Sequence, residues 1–324
     1  MRPRVFSGMQ PTGTIHLGNL LGAFSNWVAM QEEYDCIYCV VDLHAITSPF
    51  DPEEMRSART DLAKAFLAVG VDPDRSLVYR QADVPEHVEL MWLLGVDVTM
   101  GPLSRMTQYK EKSEKSGERF GLFAYPLLQA ADILIHKVDA VPVGDDQTQH
   151  LELTRDIAER FNNRYGAVFP VPERITPPTG ARVASLADPT SKMSKSDTNP
   201  HATVGVFDDP DAIMAKFKRA VTDSGTEVRY DWEEKPGISN LLEIQSFFTG
   251  RTIDDLVAEY GDTLYGHYKV AVGEAVVEGL RPIRERYDAL DDRDVEALLV
   301  DHAARAREMG GATLAEVKAA MGLA

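Results

Sequence analysis

Lys192-Met193-Ser194-Lys195-Ser196 sets two lysines three positions apart among small, flexible residues. Two ammonium charges so placed can reach one polyphosphate and stabilise the negative charge that builds on a departing pyrophosphate. Far upstream, the segment from Phe6-Ser7-Gly8-Met9 through Gln10-Pro11-Thr12-Gly13-Thr14-Ile15 to His16-Leu17-Gly18-Asn19 runs from a strand through a Gly- and Pro-containing loop into a helix start. Such a junction, at the C-terminal edge of a parallel strand, turns backbone N–H groups and the positive end of a helix dipole toward phosphate. His16 and Asn19 add side-chain donors, and a side chain at Gly18 would block a base or ribose. Neither the glycine pattern of dinucleotide folds nor that of a P-loop is present, which disfavours dehydrogenases and P-loop enzymes. Each segment alone also suits an ordinary βα turn or a solvated basic loop. Together in one chain they point to ATP spent on activating a small carboxylate substrate.

These segments need a scaffold, and hydrophobic periodicity supplies one. Strand-like runs at 5–8, 36–41, 77–79 and 140–143 alternate with helical patterns at 17–33, 61–69, 85–94, 125–135 and 148–164. The class is therefore α/β, a Rossmann-like parallel sheet with helices on both faces. Five prolines between 169 and 189 break regular structure, and beyond 208 the pattern is nearly all helical: 210–221, 240–248, 253–260, 265–290, 293–309 and 314–321, with Gly310-Gly311 read as a helix end. The expected division is a catalytic domain over 1–190 and, over 191–324, the lysine loop followed by a mainly helical domain whose last helices could pack back on the first. Cys36 and Cys39, the only cysteines, lack the second pair a metal site needs and, on one strand, should face opposite sides as packed thiols. A formal charge of −17 argues against indiscriminate binding to nucleic acid or anionic membrane, while leaving room for a structured partner held by local basic patches. No apolar stretch approaches the ~20 residues of a membrane span and no leader-like segment opens the chain, so a cytoplasmic location is the expectation.

The two segments, in this order around an α/β unit, resemble the two signatures of the class I aminoacyl-tRNA synthetases. The lysine signature is matched at all five positions, the His-Ile-Gly-His signature with Leu17 and Asn19 substituted. The likeness is strongest to the bacterial tryptophanyl-tRNA synthetases, among which Asn19 is usual, and extends through Val41-Asp42-Leu43-His44-Ala45-Ile46-Thr47, 105–113, Ala130-Ala131-Asp132-Ile133-Leu134, 142–147, Gly180-Ala181-Arg182 and 235–242. The resemblance implies an ATP site built from Gln10, Pro11, Thr12, His16, Gly18, Asn19, Gly144, Asp145, Asp146, Val183, Lys192, Met193, Ser194, Lys195 and Ser196. Catalytic cations would be Lys192, Lys195 and Lys112, with Mg²⁺ carried on the ATP phosphates and no metal held by the protein itself. A tryptophan pocket would use Phe6, His44, Tyr125, Gln129, Asp132 and Gln147, with Tyr125 and Gln147 near the ammonium and carboxylate groups. Gln129 stands where Met is often found in that family.

Tyr125, Gln129 and Asp132 follow an i, i+4, i+7 spacing and so share one helix face, and Ala130 and Ala131 leave room for a large ring. Indole offers one N–H and no acceptor, whereas a phenol both donates and accepts. A buried Asp132 can take that proton, and a ligand without it is expected to leave the carboxylate unpaired, at about 1–3 kcal/mol or one to two powers of ten. Sites built around a required hydrogen bond reach about 10⁴–10⁵ in selectivity, which removes the need for editing. Activation of tryptophan to its adenylate, then transfer to tRNA(Trp), is the implied reaction, in a homodimer whose helical domain reads the anticodon. Arg281, Arg284 and Arg286 lie together on one helical pattern, as a solvated face or as part of that contact. A tyrosine-specific synthetase, a nucleotidyltransferase with a similar loop, and a silent paralogue acting as a binding module are the alternatives.

Overall fold

The structure, a computed structural model, describes residues 2–110, 117–144, 147–176, 183–194 and 197–324. Five parallel strands form one sheet in the order β3-β2-β1-β4-β5: β1 Arg4–Met9, β2 Asp35–Val40, β3 Ser76–Arg80, β4 Ala140–Pro142 and β5 Glu173–Ile175. β5 falls inside the stretch read as broken by prolines. Its three residues carry too little pattern to stand out, and pairing with β4 is what makes them a strand.

Alternation along the strands sorts the core into two layers. Val5, Cys36, Tyr38, Val40 and Val78 face one side, with Phe24, Trp27 and Phe66 packed over them, while Phe6, Ile37, Cys39, Leu77 and Tyr79 face the other, under Ile133, Leu151 and Ala306. Cys36 and Cys39 are thus buried thiols on opposite faces of β2. The first layer continues without a break into Phe217, Leu241, Val272 and Leu280 of the C-terminal helices.

Several helices differ in extent from their sequence patterns, each for a local reason. The 17–33 pattern is broken by a π-helical turn at Leu20–Phe24, where Ser25 Oγ and Asn26 Nδ2 donate to the carbonyls of Leu21 and Gly22. The 61–69 pattern belongs to a longer helix, Pro52–Ala68, begun by Asp51 accepting from the N–H groups of Glu53 and Glu54, with Pro52 at its first position. The helix that carries Asp132 begins at Phe120, so Pro126 sits inside it rather than at its start.

Gly310-Gly311 does not end a helix. One helix runs Asp292–Ala320, and a Cβ at Gly310 would stand 3.1 Å from Ile135 Cγ1 and 3.3 Å from Glu86 Cβ. The glycine lets this helix approach the elements that carry the pocket. His302 on the same helix accepts, through Nδ1, the N–H of Val78 at 2.9 Å, covering an edge of β3 that would otherwise invite pairing. Replacing Gly310 with leucine forces these helices apart, and a loss of about 1–3 kcal/mol in urea unfolding is expected.

Arg284 and Arg286, grouped in the sequence with Arg281, are spent internally. Arg284 donates to the carbonyls of Asp208 and Val277, and Arg286 to that of Ala68, at the C-terminal end of the Pro52–Ala68 helix where a cation is favoured. Arg281 pairs with Glu278 on its own helix. Arg284 and Arg286 thus bind carbonyls of other elements, while the exposed Arg281 fits a solvated face.

Candidate active site

The first nucleotide segment ends in a cap that commits half of Asn19. Its Oδ1 accepts from the His16 N–H at 3.1 Å, leaving the side-chain Nδ2 as the donor that can serve a ligand. Gly18 has a second reason to lack a side chain: a Cβ there would lie 2.9 Å from the imidazole of His16, which is buried, and 3.9 Å from Met193 Cβ. That last distance sets the two signature segments, some 175 residues apart in the chain, side by side.

One short segment stitches them together. Leu17 N–H donates to Val204 O and Val206 N–H to Ile15 O, while Thr203 Oγ1 donates to Ser194 O at 2.9 Å. Lys216 holds this segment by donating to Thr203 O and Asp208 Oδ2, and the buried Val183 accepts from Met193 N–H at 2.9 Å. Lys192 is exposed beside it, Met193 is buried, and Pro11 and Thr12 flank the first segment, buried and exposed respectively. Sequence periodicity did not mark residues 203–206, whose role is made only by tertiary pairing. Thr203→Val removes one hydrogen bond to the lysine loop, and a rise in the KM for ATP of about threefold to tenfold, with the KM for the amino acid unchanged, is the expected kinetic result.

Beside the first of these loops, between the C-terminal ends of β1 and β4, lies a cavity of about 310 Å³. Here the chain reverses its direction of travel across the sheet, the place where open parallel sheets bind ligands. Phe6, Gln10, His44, Tyr125, Gln129, Asp132, Gly144 and Gln147 all line it, as do Gly8 and Gln108. Gln129 Nε2 and Gln147 Oε1 are 3.4 Å apart across the cavity wall. Tyr125 Oη lies 2.8 Å from His150 Nε2 and donates to Gln108 Oε1 at 3.2 Å, and burial pushes its phenol up to about 12. Lys112, Asp145, Asp146, Lys195 and Ser196 fall outside the described residues, as does Gly180-Ala181-Arg182.

Asp132 is 1% exposed, and it is not waiting for a partner. Gln81 Nε2 donates to both carboxylate oxygens at 2.7 and 2.8 Å, His44 Nε2 lies 2.9 Å from Oδ2, and His87 Nδ1 lies 2.8 Å from Oδ1. The expectation that a ligand without an N–H would leave the carboxylate unpaired is therefore corrected. Burial alone would raise its pKa, but His44 and His87 outweigh it and hold the group down to about 2. Gln81 and His87 went unnoticed in the sequence because neither sits at a helical or strand spacing from Asp132.

A family model described as "tRNA synthetases class I (W and Y)" matches residues 1–281. The chain belongs to this family. Among class I synthetases it is 50% identical over 321 residues, 99% of this chain and 98% of the other, to a protein named Tryptophan--tRNA ligase from Caldanaerobacter subterraneus subsp. tengcongensis. The tryptophanyl-tRNA synthetase structure from Mycoplasma pneumoniae superposes with a TM-score of 0.90 at 33% identity, over 99% of this chain and 98% of that one. That from Campylobacter jejuni, complexed with ADP and tryptophan, gives 0.87 at 34% identity, over 99% and 100%. Membership of the class I synthetases sets aside the nucleotidyltransferase reading, and the Rossmann-like α/β class with a mostly helical C-terminal part agrees with these neighbours. Among the described residues no helix is long and apolar enough to cross a membrane.

Proposed function

We infer that the protein is a cytoplasmic enzyme that activates L-tryptophan with ATP and transfers it to tRNA(Trp). The observation that carries this is identity of 50% across nearly the whole length of a protein named for that reaction. The cavity supports it: a ring-sized space with the Asp132 carboxylate in its wall, the one carboxylate lining it among the described residues, is lined in part by the first nucleotide segment through Gln10.

In the first step an oxygen of the tryptophan carboxylate attacks the α-phosphorus of ATP. The bond to the β-phosphate breaks, giving tryptophanyl-adenylate and pyrophosphate. In the second a terminal ribose hydroxyl of the tRNA attacks the acyl carbon and AMP leaves. Neither step requires a protein nucleophile, so positioning and charge stabilisation carry the catalysis. Lys192, with Lys195 and Lys112, and Mg²⁺ brought in on the phosphates, take that second role. Asn19 Nδ2 and the Gly18 N–H meet the phosphates, with Gln10, Pro11, Thr12, Gly144, Asp145, Asp146 and Val183 around the nucleotide. Phe6 and Gln129 flank the indole, and its N–H approaches Asp132 on the side of His44, the partner that also faces the cavity.

Residues 191–324 form the part that reads the anticodon, using a surface other than the internally bonded Arg284 and Arg286. The homodimer forms through the exposed apolar side chains of Trp92, Met100 and Phe120, 76%, 68% and 81% exposed on neighbouring helices. Large exposed apolar side chains are the groups that a dimer contact would bury. Incubating the purified protein with ATP, tryptophan and tRNA(Trp) should give alkali-labile tryptophanyl-tRNA and AMP. Charging of tRNA with tyrosine instead would overturn the assignment.

A further inference from the structure

Under the cavity lies a layer of buried polar side chains that no ligand in this reading touches. Tyr79 and Gln81 come from the end of β3 and the turn after it, His87 from the helix Glu86–Gly95, and His136 from the end of the helix that carries Asp132. Tyr79 Oη bridges His87 Nε2 at 2.9 Å and His136 Nε2 at 2.6 Å. We propose that His87, backed by Tyr79 and His136, is a specificity-determining positioning residue that keeps Asp132 presented as a hydrogen-bond acceptor for the amino-acid substrate.

The contacts assign the protons. His87 Nδ1 faces a carboxylate oxygen and so carries a hydrogen, which leaves Nε2 to accept from the Tyr79 hydroxyl. Tyr79 Oη then accepts from His136 Nε2–H. Burial holds His136 well below the usual imidazole value, so it stays neutral. Every hydrogen in the series His136, Tyr79, His87 therefore points toward Asp132. His136 also stacks on Phe6, centroids 6.3 Å apart, so the same layer supports a second wall of the cavity.

The groups facing Asp132 are His44 from the helix after β2, His87, Gln81, Cys39 on β2, Tyr79 on β3 and His136. No lysine or arginine side chain contacts the carboxylate among the described residues. Gln81, His44 and His87, with no lysine or arginine among them, thus keep it charged in a dry site. Losing one shifts the balance toward the burial cost and hence toward a protonated carboxyl, which presents an O–H where the substrate N–H should dock.

The inference rests on the reading that Asp132 accepts from the indole N–H, and the test separates the two. It uses ATP–pyrophosphate exchange by the full-length protein with tryptophan and with β-(benzothiophen-3-yl)alanine, in which sulfur replaces the N–H. His87→Leu should raise the KM for tryptophan about tenfold, leave kcat and the KM for ATP within about twofold, and barely move the KM for the sulfur analogue. His87→Asn, whose amide can donate from near the Nδ1 position, should recover most of the loss. Tyr79→Phe, which keeps the ring and its packing, should move the same ratio about threefold, a control should His87→Leu fold poorly. In His87→Leu the tryptophan KM should also climb as pH falls toward about 5, where the unaltered protein stays flat. Equal rises for both amino acids, or no rescue by asparagine, would assign His87 a merely structural role and overturn the proposal. If instead Asp132→Asn leaves the ratio of the two KM values unchanged, the failure lies in the Asp132 reading itself.

Discussion

Replacing Asp132 with asparagine should weaken tryptophan binding by about ten- to a hundredfold and also destabilise the fold. The size follows from the surroundings rather than from the lost charge alone. Gln81 donates to both carboxylate oxygens at 2.7 and 2.8 Å, and a ring nitrogen each of His44 and His87 lies 2.9 and 2.8 Å from them. An amide keeps one oxygen and turns an NH₂ group against those donors, so at least one buried N–H loses its acceptor, at about 1–3 kcal/mol each. The tryptophan KM in pyrophosphate exchange and the midpoint of urea unfolding should therefore fall out of line together. Linkage gives a matching pH signature. The Asp132 pKa in the folded protein is about 2, below the ~3.9 of an unfolded chain. Its contribution to stability is complete above the unfolded value and is lost as pH falls from about 4 through 2, so the unaltered protein and Asp132→Asn should converge in stability at the acid end of that window.

The second large effect is expected at the lysine loop. Lys192→Ala should lower the rate of tryptophan-dependent pyrophosphate exchange by about 10²–10³, the usual cost of removing one group that stabilises charge developing in the transition state. The fall should appear in kcat rather than in the KM for tryptophan, because Lys192 stands on the nucleotide side, exposed beside the pairing with Ala184, away from Asp132. Folding should be untouched, since the loop is held by Met193 and Ser194 through Val183 and Thr203 and not by the lysine side chain. A loss confined to the KM for tryptophan would contradict the role given to Lys192.

What the sequence disclosed and what it hid follow from the range of the interactions concerned. Local rules were enough for the parallel strands β1 to β4, for the opposite facing of Cys36 and Cys39, and for the helix face shared by Tyr125, Gln129 and Asp132, since periodicity records all three. They failed at Gly310-Gly311, because a glycine that ends a helix and one that permits close packing look alike in sequence. They failed at β5, too short to carry a pattern, and at Arg284 and Arg286, whose bonds to the carbonyls of Asp208 and Ala68 reach parts distant in the chain. At the site, the two nucleotide signatures were readable as motifs, but the segment that joins them and the polar layer under Asp132 are products of tertiary pairing alone.

That a buried carboxylate in a synthetase fold selects tryptophan is tested most directly by ATP–pyrophosphate exchange with the purified protein and each of the twenty amino acids in turn. Exchange should depend on tryptophan, with tyrosine and phenylalanine slower by about 10³ or more in kcat/KM. Equal exchange with tyrosine, or none with tryptophan, would contradict it.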